Sequence, residues 1–291
     1  MFKGVYTAIV TPFNDDNKID EQALRKLVDF QIAKGVQGIV PVGTTGESPT
    51  LDHEEHHRVI EIVIDQVKGR VPVIAGTGSN CTDEAIRLTE KAKKAGATAS
   101  LQVAPYYNKP TQEGFYRHFT AVADSVDLPI IVYNIPGRSG KNIENSTMLE
   151  LTKHKNIVAV KEASGNITQI MDLISKKPDD FTVLSGDDNL VFPILALGGM
   201  GVISVASNLV PDRMAEFVGS ALEGNWTKAR KMHYELLPLF RAIFIETNPI
   251  PIKAALAIKG MIRENYRLPM CRMSDEHRKA LKAVLGDLKI L

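Results

Sequence analysis

The sequence predicts an α/β protein folded as a (β/α)8 barrel, or TIM barrel, with a helical region at its C-terminal end. Short β-branched apolar runs recur eight times, and segments with helical spacing of apolar residues lie between them. Most of these runs are nearly continuous rather than alternating, which is typical of parallel strands buried on both faces. Eight such units over about 220 residues fit the count and size of this barrel.

The predicted strands follow one another in a regular series along the chain. They are Val5–Val10, Gly38–Val42, Val71–Ala75, Ala99–Val103, Pro129–Tyr133, Ile157–Lys161, Phe181–Ser185 and Val202–Val205. Between the first two, Leu24, Leu27 and Val28 share one helical face. Gly35 and Gly96 end helical stretches, where glycine readily adopts the left-handed C-cap conformation. An open doubly wound sheet is the alternative, but no GxGxxG motif follows the first strand to support it.

The strand pattern stops after about residue 224. Ala229, Met232 and Leu236 then lie on one helical face, and a second stripe follows near the end of the chain. We therefore predict that residues 1–224 form the barrel with the active site and that residues 225–291 form a helical region.

Composition excludes several classes of function. The 291 residues are 44% hydrophobic and 24% charged, with a net charge of +1, so no broad electrostatic field would attract nucleic acid or an anionic membrane. No apolar run reaches the roughly 18 residues that a membrane span needs. The two cysteines, Cys81 and Cys271, form no CxxC motif and fit free thiols in a reducing compartment. We expect a cytoplasmic protein that binds neither nucleic acid nor membrane.

In a TIM barrel, reactive groups stand where the strands end, and Lys161 ends the apolar run that begins at Ile157. A lysine amine with its usual pKa of about 10.4 is protonated at neutral pH and cannot attack a carbonyl. Burial disfavours the charged form and can lower the pKa to about 7–8. The position predicts a Schiff-base nucleophile. The alternatives are an ion pair with an acid such as Glu162 or an amine that extends to the barrel rim.

Hydroxyl groups gather at neighbouring strand ends. Imine chemistry moves several protons, and Thr44, Tyr107 and Tyr133 offer groups that both donate and accept them. Each tyrosine taken alone would be read as a packing aromatic. The turn at 43–47, Gly-Thr-Thr-Gly-Glu, is either an anion-binding nest for a small carboxylate or a tight turn before a helix.

Three segments together resemble the dihydrodipicolinate synthase family of pyruvate-dependent class I aldolases. They are Gly-Thr-Thr-Gly-Glu at 43–47, Tyr-Asn-Ile-Pro-Gly-Arg at 133–138 and Val-Lys-Glu-Ala-Ser-Gly at 160–165. The wider family includes N-acetylneuraminate lyase and keto-deoxy-sugar acid aldolases, and the resemblance spans the whole chain. It implies that pyruvate condenses with L-aspartate 4-semialdehyde through a lysine Schiff base. The product, 4-hydroxy-tetrahydrodipicolinate, lies in the diaminopimelate branch of lysine biosynthesis.

The resemblance also implies roles for individual residues. Lys161 forms the imine with pyruvate, and the proton relay consists of Tyr133, Thr44 and Tyr107. The residues that position pyruvate are Thr45, Gly186 and Ile203. Tyr107 reaches the site from a neighbouring subunit, which implies a homo-oligomer, either a dimer or a tetramer. We expect neither a metal nor another cofactor, because the imine itself supplies the electron sink that zinc provides in other aldolases.

Arg138 distinguishes the synthases of this family from the sialic acid lyases. Its guanidinium matches the carboxylate of the semialdehyde bidentately, whereas sialic acid lyases lack arginine here, so Arg138 argues against a sugar-acid aldolase. A non-catalytic binding relative would be expected to lack Lys161, Tyr133 or Thr44, and all three are present. A phosphate-sugar aldolase remains a further alternative, although helix-to-strand packing explains the glycines at 198–201 better than a phosphate loop does.

A second site is implied by the same resemblance. The residues that match positions binding feedback-inhibiting L-lysine are Ser48, His53, His56, Asn80, Glu84 and Tyr106. Glu84 can pair with an ammonium group, and Tyr106 adjoins Tyr107 of the relay. The alternative is that the histidines are solvated on an exposed acidic helix face.

Overall fold

The computed structural model describes residues 2–291 and contains eight parallel strands in one sheet. The strands are β1 Gly4–Ala8, β2 Gly38–Val40, β3 Ile74–Gly76, β4 Ala99–Val103, β5 Ile130–Asn134, β6 Ile157–Glu162, β7 Thr182–Ser185 and β8 Gly201–Ser204. Each coincides with a predicted run to within a few residues. The largest difference is at β3, which begins after Pro72, a residue without an N–H to donate to a neighbouring strand.

The sheet closes into a barrel. The strand order is β2-β1-β8-β7-β6-β5-β4-β3, and the two outer members of this series also meet. Ile39 forms a parallel bridge with Val73, and the Ile39 N–H donates to the Pro72 carbonyl over 3.1 Å. The Gly76 N–H donates to the Pro41 carbonyl over 3.0 Å. The predicted barrel is therefore confirmed, and the open doubly wound alternative is wrong.

Helices connect the strands and cover the barrel. They are α1 Glu21–Ala33, α2 His53–Val67, α3 Thr82–Ala95, α4 Gln112–Ser125, α5 Pro136–Ser139, α6 Asn145–Leu151, α7 Ile167–Lys176, α8 Val191–Ala196, α9 Pro211–Leu222, α10 Trp226–Ala242, α11 Ile250–Ile258 and α12 Asp275–Asp287. Gly35 and Gly96 have φ values of 85° and 99° just beyond α1 and α3, as the sequence predicts. Asp52 caps α2 in a capping box with Glu55.

The C-terminal helices pack on the barrel instead of standing away from it. Ala229 and Leu236 of α10 belong to the same buried apolar cluster as Val5 of β1 and Val202 of β8. The division at residue 224 stays a prediction, because one continuous core joins the two parts. No helix within residues 2–291 is both long and apolar enough to cross a membrane.

Candidate active site

A pocket of about 400 Å³ opens at the carboxyl ends of the strands. We call it the barrel-mouth pocket. Six of the residues singled out from the sequence line it, namely Thr44, Thr45, Tyr133, Arg138, Lys161 and Gly186. They come from loops and strand ends far apart in the chain, so closure of the barrel is what brings them together.

Lys161 stands in the wall of this pocket with only 6% of its surface exposed. It lies opposite Tyr133 in the register of β5 and β6, and its Nζ is 4.0 Å from the centroid of that ring. Gly186 makes room for the lysine stem, because a Cβ there would lie 3.0 Å from both Cγ and Cε. Burial lowers the pKa of Lys161 to about 7, so much of the amine is neutral at neutral pH.

The carboxyl groups nearest to Lys161 are themselves largely desolvated. Asp188 is buried, and its Oδ2 accepts hydrogen bonds from the N–H groups of Val205 and Ala206 over 3.0 and 2.9 Å. Burial raises the pKa of Asp188 to about 6 and also raises the pKa of Asp187. Both aspartates favour the protonated amine of Lys161, but burial has the larger effect and lowers its pKa. Glu162 turns its carboxylate to Asn134 instead of forming the ion pair with Lys161 that the sequence left open.

The loop that carries Thr44 and Thr45 is held from two sides. The Thr45 hydroxyl accepts a hydrogen bond from Asn248 Nδ2 over 3.0 Å, and the buried Glu47 carboxylate pairs with the buried Lys253 amine. Within the loop, the Glu47 N–H donates to the Thr44 carbonyl over 3.1 Å. That N–H therefore serves the turn, and Thr44 and Thr45 are the residues of this loop that line the pocket.

Arg138 projects from α5, a single helical turn directly after β5. Its Nη2 donates to the backbone carbonyl of Asn248 over 3.3 Å, and the side chain lines the barrel-mouth pocket. The guanidinium has five donor protons, so this one bond leaves it able to bind a carboxylate bidentately.

Two predicted residues are not gathered at the pocket. Ile203 of β8 is buried in the barrel interior with Tyr133, whereas Val205, two residues later, reaches the pocket wall. Tyr107 is 89% exposed, with a left-handed φ of 72°. Its hydroxyl therefore does not join Thr44 within one copy of the chain.

A second cavity of about 400 Å³ adjoins the first, and we call it the side pocket. Thr44, Tyr133 and Arg138 line both cavities. Five of the six residues implied in lysine binding also line the side pocket: Ser48, His53, His56, Glu84 and Tyr106. The sixth, Asn80, donates from Nδ2 to the Tyr106 carbonyl over 3.2 Å.

The polar groups of the side pocket are arranged around one carboxylate. Glu84 Oε1 lies 3.2 Å from His53 Nε2, and its other oxygen accepts a short hydrogen bond from Ser79. His56 is buried, and burial lowers its pKa to about 4, so this ring is neutral. His53, in contrast, is exposed, as the alternative interpretation of the histidines expects.

Sequence reasoning missed several residues of the barrel-mouth pocket. Asp187 lies just after β7, but the sequence pattern assigned it no role. Phe240, Phe244 and Asn248 reach the pocket from the predicted helical region. No local pattern signals their position, because their approach to the pocket depends on how α10 and α11 pack. Within residues 2–291, no three His, Cys, Asp or Glu side chains converge as a metal site would require.

Known proteins resemble this chain over almost its whole length. The profile of the Dihydrodipicolinate synthetase family matches residues 1–288. The 4-hydroxy-tetrahydrodipicolinate synthase of Syntrophus aciditrophicus is 59% identical over 291 residues, covering 100% of both chains. The crystal structure of dihydrodipicolinate synthase from Aquifex aeolicus superimposes with a TM-score of 0.98 at 47% identity, covering 99% of each chain. The crystal structure of the Cyanidioschyzon merolae enzyme with lysine bound superimposes with a TM-score of 0.97 at 40% identity, covering 100% of this chain and 99% of that chain.

Proposed function

The chain belongs to the dihydrodipicolinate synthetase family, and on that premise we propose that it condenses pyruvate with L-aspartate 4-semialdehyde. The product is 4-hydroxy-tetrahydrodipicolinate, and the reaction is a lyase-type class I aldolase step of lysine biosynthesis through diaminopimelate. One observation carries the proposal. Lys161 is a buried amine with a pKa of about 7 that faces a pocket large enough for a keto acid.

The chemistry begins with attack of the neutral Lys161 Nζ on the keto carbon of pyruvate. The carbinolamine loses water to give an imine, and loss of a proton from the methyl carbon gives an enamine. That carbon then forms the new bond to the aldehyde carbon of the semialdehyde. The amine of the semialdehyde displaces Lys161 from the imine carbon, which closes the ring and frees the enzyme.

Proton transfer in these steps is the role of the hydroxyl groups. Tyr133 lies against Lys161, and Thr44 lines the same two cavities as Tyr133, which supports a relay that runs from the amine through these two residues. Burial raises the pKa of Tyr133, so its phenol stays protonated and acts as a donor between transfers. Tyr107 completes the relay from a second copy of the chain.

Substrate binding divides between two parts of the pocket. Thr45 and Gly186 position pyruvate beside Lys161, with Gly186 also clearing the lysine stem. Ile203 supports this position from the barrel interior, where it belongs to the same buried cluster as Tyr133. Arg138 binds the carboxylate of the semialdehyde, as its guanidinium lines the pocket with most of its donors unused. No carboxylate-binding arginine would be needed by an aldolase specific for a sugar aldehyde.

The working enzyme is a homo-oligomer, either a dimer or a tetramer. The exposed side chain and left-handed backbone of Tyr107 support this, because a bulky residue is rarely held in that conformation without packing to oppose the strain. Contact with a second copy would bury the ring and bring its hydroxyl to the neighbouring relay. The cytoplasm is the proposed compartment, and the two exposed free cysteines, Cys81 and Cys271, fit its reducing conditions.

L-Lysine regulates the enzyme through the side pocket. The Glu84 carboxylate is suited to an amino-acid ammonium group, and Thr44, Tyr133 and Arg138 form a wall that both cavities share. A bound amino acid would therefore contact the residues of the relay and of semialdehyde binding directly. The related enzyme from Cyanidioschyzon merolae, crystallised with lysine, supports this assignment.

Borohydride reduction in the presence of pyruvate, followed by peptide mapping, tests the proposed function. We expect the mass of reduced pyruvate on the peptide that contains Lys161 and no label in Lys161→Met. Turnover is then compared for L-aspartate 4-semialdehyde and for a sugar aldehyde. Labelling elsewhere, or preference for the sugar, would contradict the proposal.

A further inference from the structure

A buried polar pair stands directly behind the residues of the active site. Asn134 and Glu162 follow Tyr133 and Lys161 in their strands, and the two pairs are matched in the register of β5 and β6. Successive residues of a strand face opposite sides, so Asn134 and Glu162 face away from the barrel-mouth pocket. They are 0% and 1% exposed. Neither residue lines the barrel-mouth pocket.

Every polar group of the Asn134 side chain is used. Oδ1 accepts the N–H of Ile143 over 3.0 Å, while Nδ2 donates to Asn142 Oδ1 over 2.9 Å and to Glu162 Oε2 over 3.1 Å. Asn142 and Ile143 lie at the far end of the segment 135–143, which begins immediately after Asn134. One side chain therefore joins the two ends of this segment.

The backbone of Ile143 determines which way the Asn134 amide turns. Its N–H can only donate, so it requires Oδ1 and leaves the NH2 group of Asn134 for Glu162. The other oxygen of Glu162 accepts the Ser164 N–H over 2.6 Å, which fixes the carboxylate in turn. The pair thus forms a clasp in which each partner holds the other in a single orientation.

The segment closed by this clasp carries Arg138 near its middle. We propose that Asn134 and Glu162 are positioning residues, which hold the Arg138 guanidinium where it binds the carboxylate of the semialdehyde. This inference rests on the proposed function. Bidentate binding of a carboxylate needs a fixed guanidinium, and a segment with open ends would have to lose conformational entropy at each binding event. Neither residue touches the substrate.

Kinetics of Asn134→Ala test the proposal. We expect the KM for semialdehyde to rise about tenfold while kcat and pyruvate imine formation stay within about twofold, because the change affects binding by Arg138 and leaves Lys161 in place. The matched control is Asn145→Ala. Its Nδ2 donates to the Gln169 carbonyl over 2.8 Å in the same polar region, but it lies outside the segment 135–143. The control should keep the wild-type KM.

A folded Asn134→Ala variant with an unchanged semialdehyde KM would overturn the proposal. If that variant does not fold, Asn142→Ala replaces it, since Asn142 is only half-buried and supplies one of the clasp bonds. We then expect a rise of about threefold, and no rise would be equally decisive. Hydrogen exchange separates this inference from the proposed function: residues 135–143 should exchange faster in the clasp variant than in Asn145→Ala. That result is expected even if the wild-type chain used a different aldehyde.

Discussion

Two lysines are buried in this barrel, and they differ in what stands beside the amine. Lys253 is fully buried, pairs with the buried carboxylate of Glu47 and lies 4.3 Å over the ring of Phe13. Lys161 also lies over a ring, that of Tyr133, but faces an open pocket. Burial lowers the pKa of both amines, and at Lys253 the charge of Glu47 opposes the effect.

Burial alone does not make a lysine nucleophilic. A directly paired carboxylate converts the same burial into a structural ion pair, and only an amine without such a partner is free to react. Space matters as well. Gly186 leaves room beside the stem of Lys161, whereas Lys253 is enclosed by side chains.

Replacement of Lys161 should have the largest effect. Lys161→Met is expected to lower turnover by roughly 10⁴-fold or more, because no other group can form the imine. Its free energy of unfolding should hold or increase, since an amine with no ion-pair partner leaves the interior. Steady-state kinetics and urea denaturation provide the two measurements. Turnover within tenfold of wild type would contradict the claim that Lys161 is the reactive lysine and Lys253 the structural one.

Replacement of Lys253 should act on stability first. Lys253→Met leaves the Glu47 carboxylate buried without its partner, which is expected to cost about 3–5 kcal/mol of unfolding free energy. The double variant Lys253→Met, Glu47→Gln should regain most of this, because no unpaired charge is left inside. Urea denaturation measures both. Equal stability of the single and double variants would show that the ion pair is not what holds the loop of Thr44.

Arg138 lines both the barrel-mouth pocket and the side pocket. Arg138→Ala should raise the KM for semialdehyde by about 100-fold, since the substrate carboxylate would lose its charged partner. Pyruvate imine formation on Lys161 should be nearly unchanged. Initial rates and borohydride labelling measure the two effects separately. Equal damage to both would place Arg138 in imine formation instead of substrate selection.

Glu84 places a carboxylate in the side pocket that is suited to bind the ammonium group of a ligand, just as the Glu47 carboxylate pairs with the amine of Lys253. L-Lysine should therefore inhibit the enzyme, and Glu84→Gln should weaken this inhibition about tenfold while leaving the KM for pyruvate in place. Initial rates at increasing L-lysine measure the effect. Unchanged rates of the wild-type enzyme at millimolar lysine would remove the regulatory assignment.

Much of the fold could be predicted because strands buried on both faces leave a continuous apolar signal. The position of Lys161 at the site could be predicted for the same reason, because it is a charged residue at the end of such an apolar run. The clasp at Asn134 was not visible, because its contacts to Ile143 and Glu162 exist only once β5 and β6 pair. The contribution of Asn248 to the pocket likewise depends on how α11 packs against the loop of Thr45.

The pH dependence of pyruvate imine formation tests the central claim most directly. The pKa of Lys161 is lowered to about 7, so the protonated amine predominates below that pH and cannot attack the keto carbon. Single-turnover rates should rise about tenfold per pH unit below this point and level off above it. A rate that still climbs at about pH 9, as for a solvated lysine with a pKa of about 10.4, would contradict a neutral buried amine.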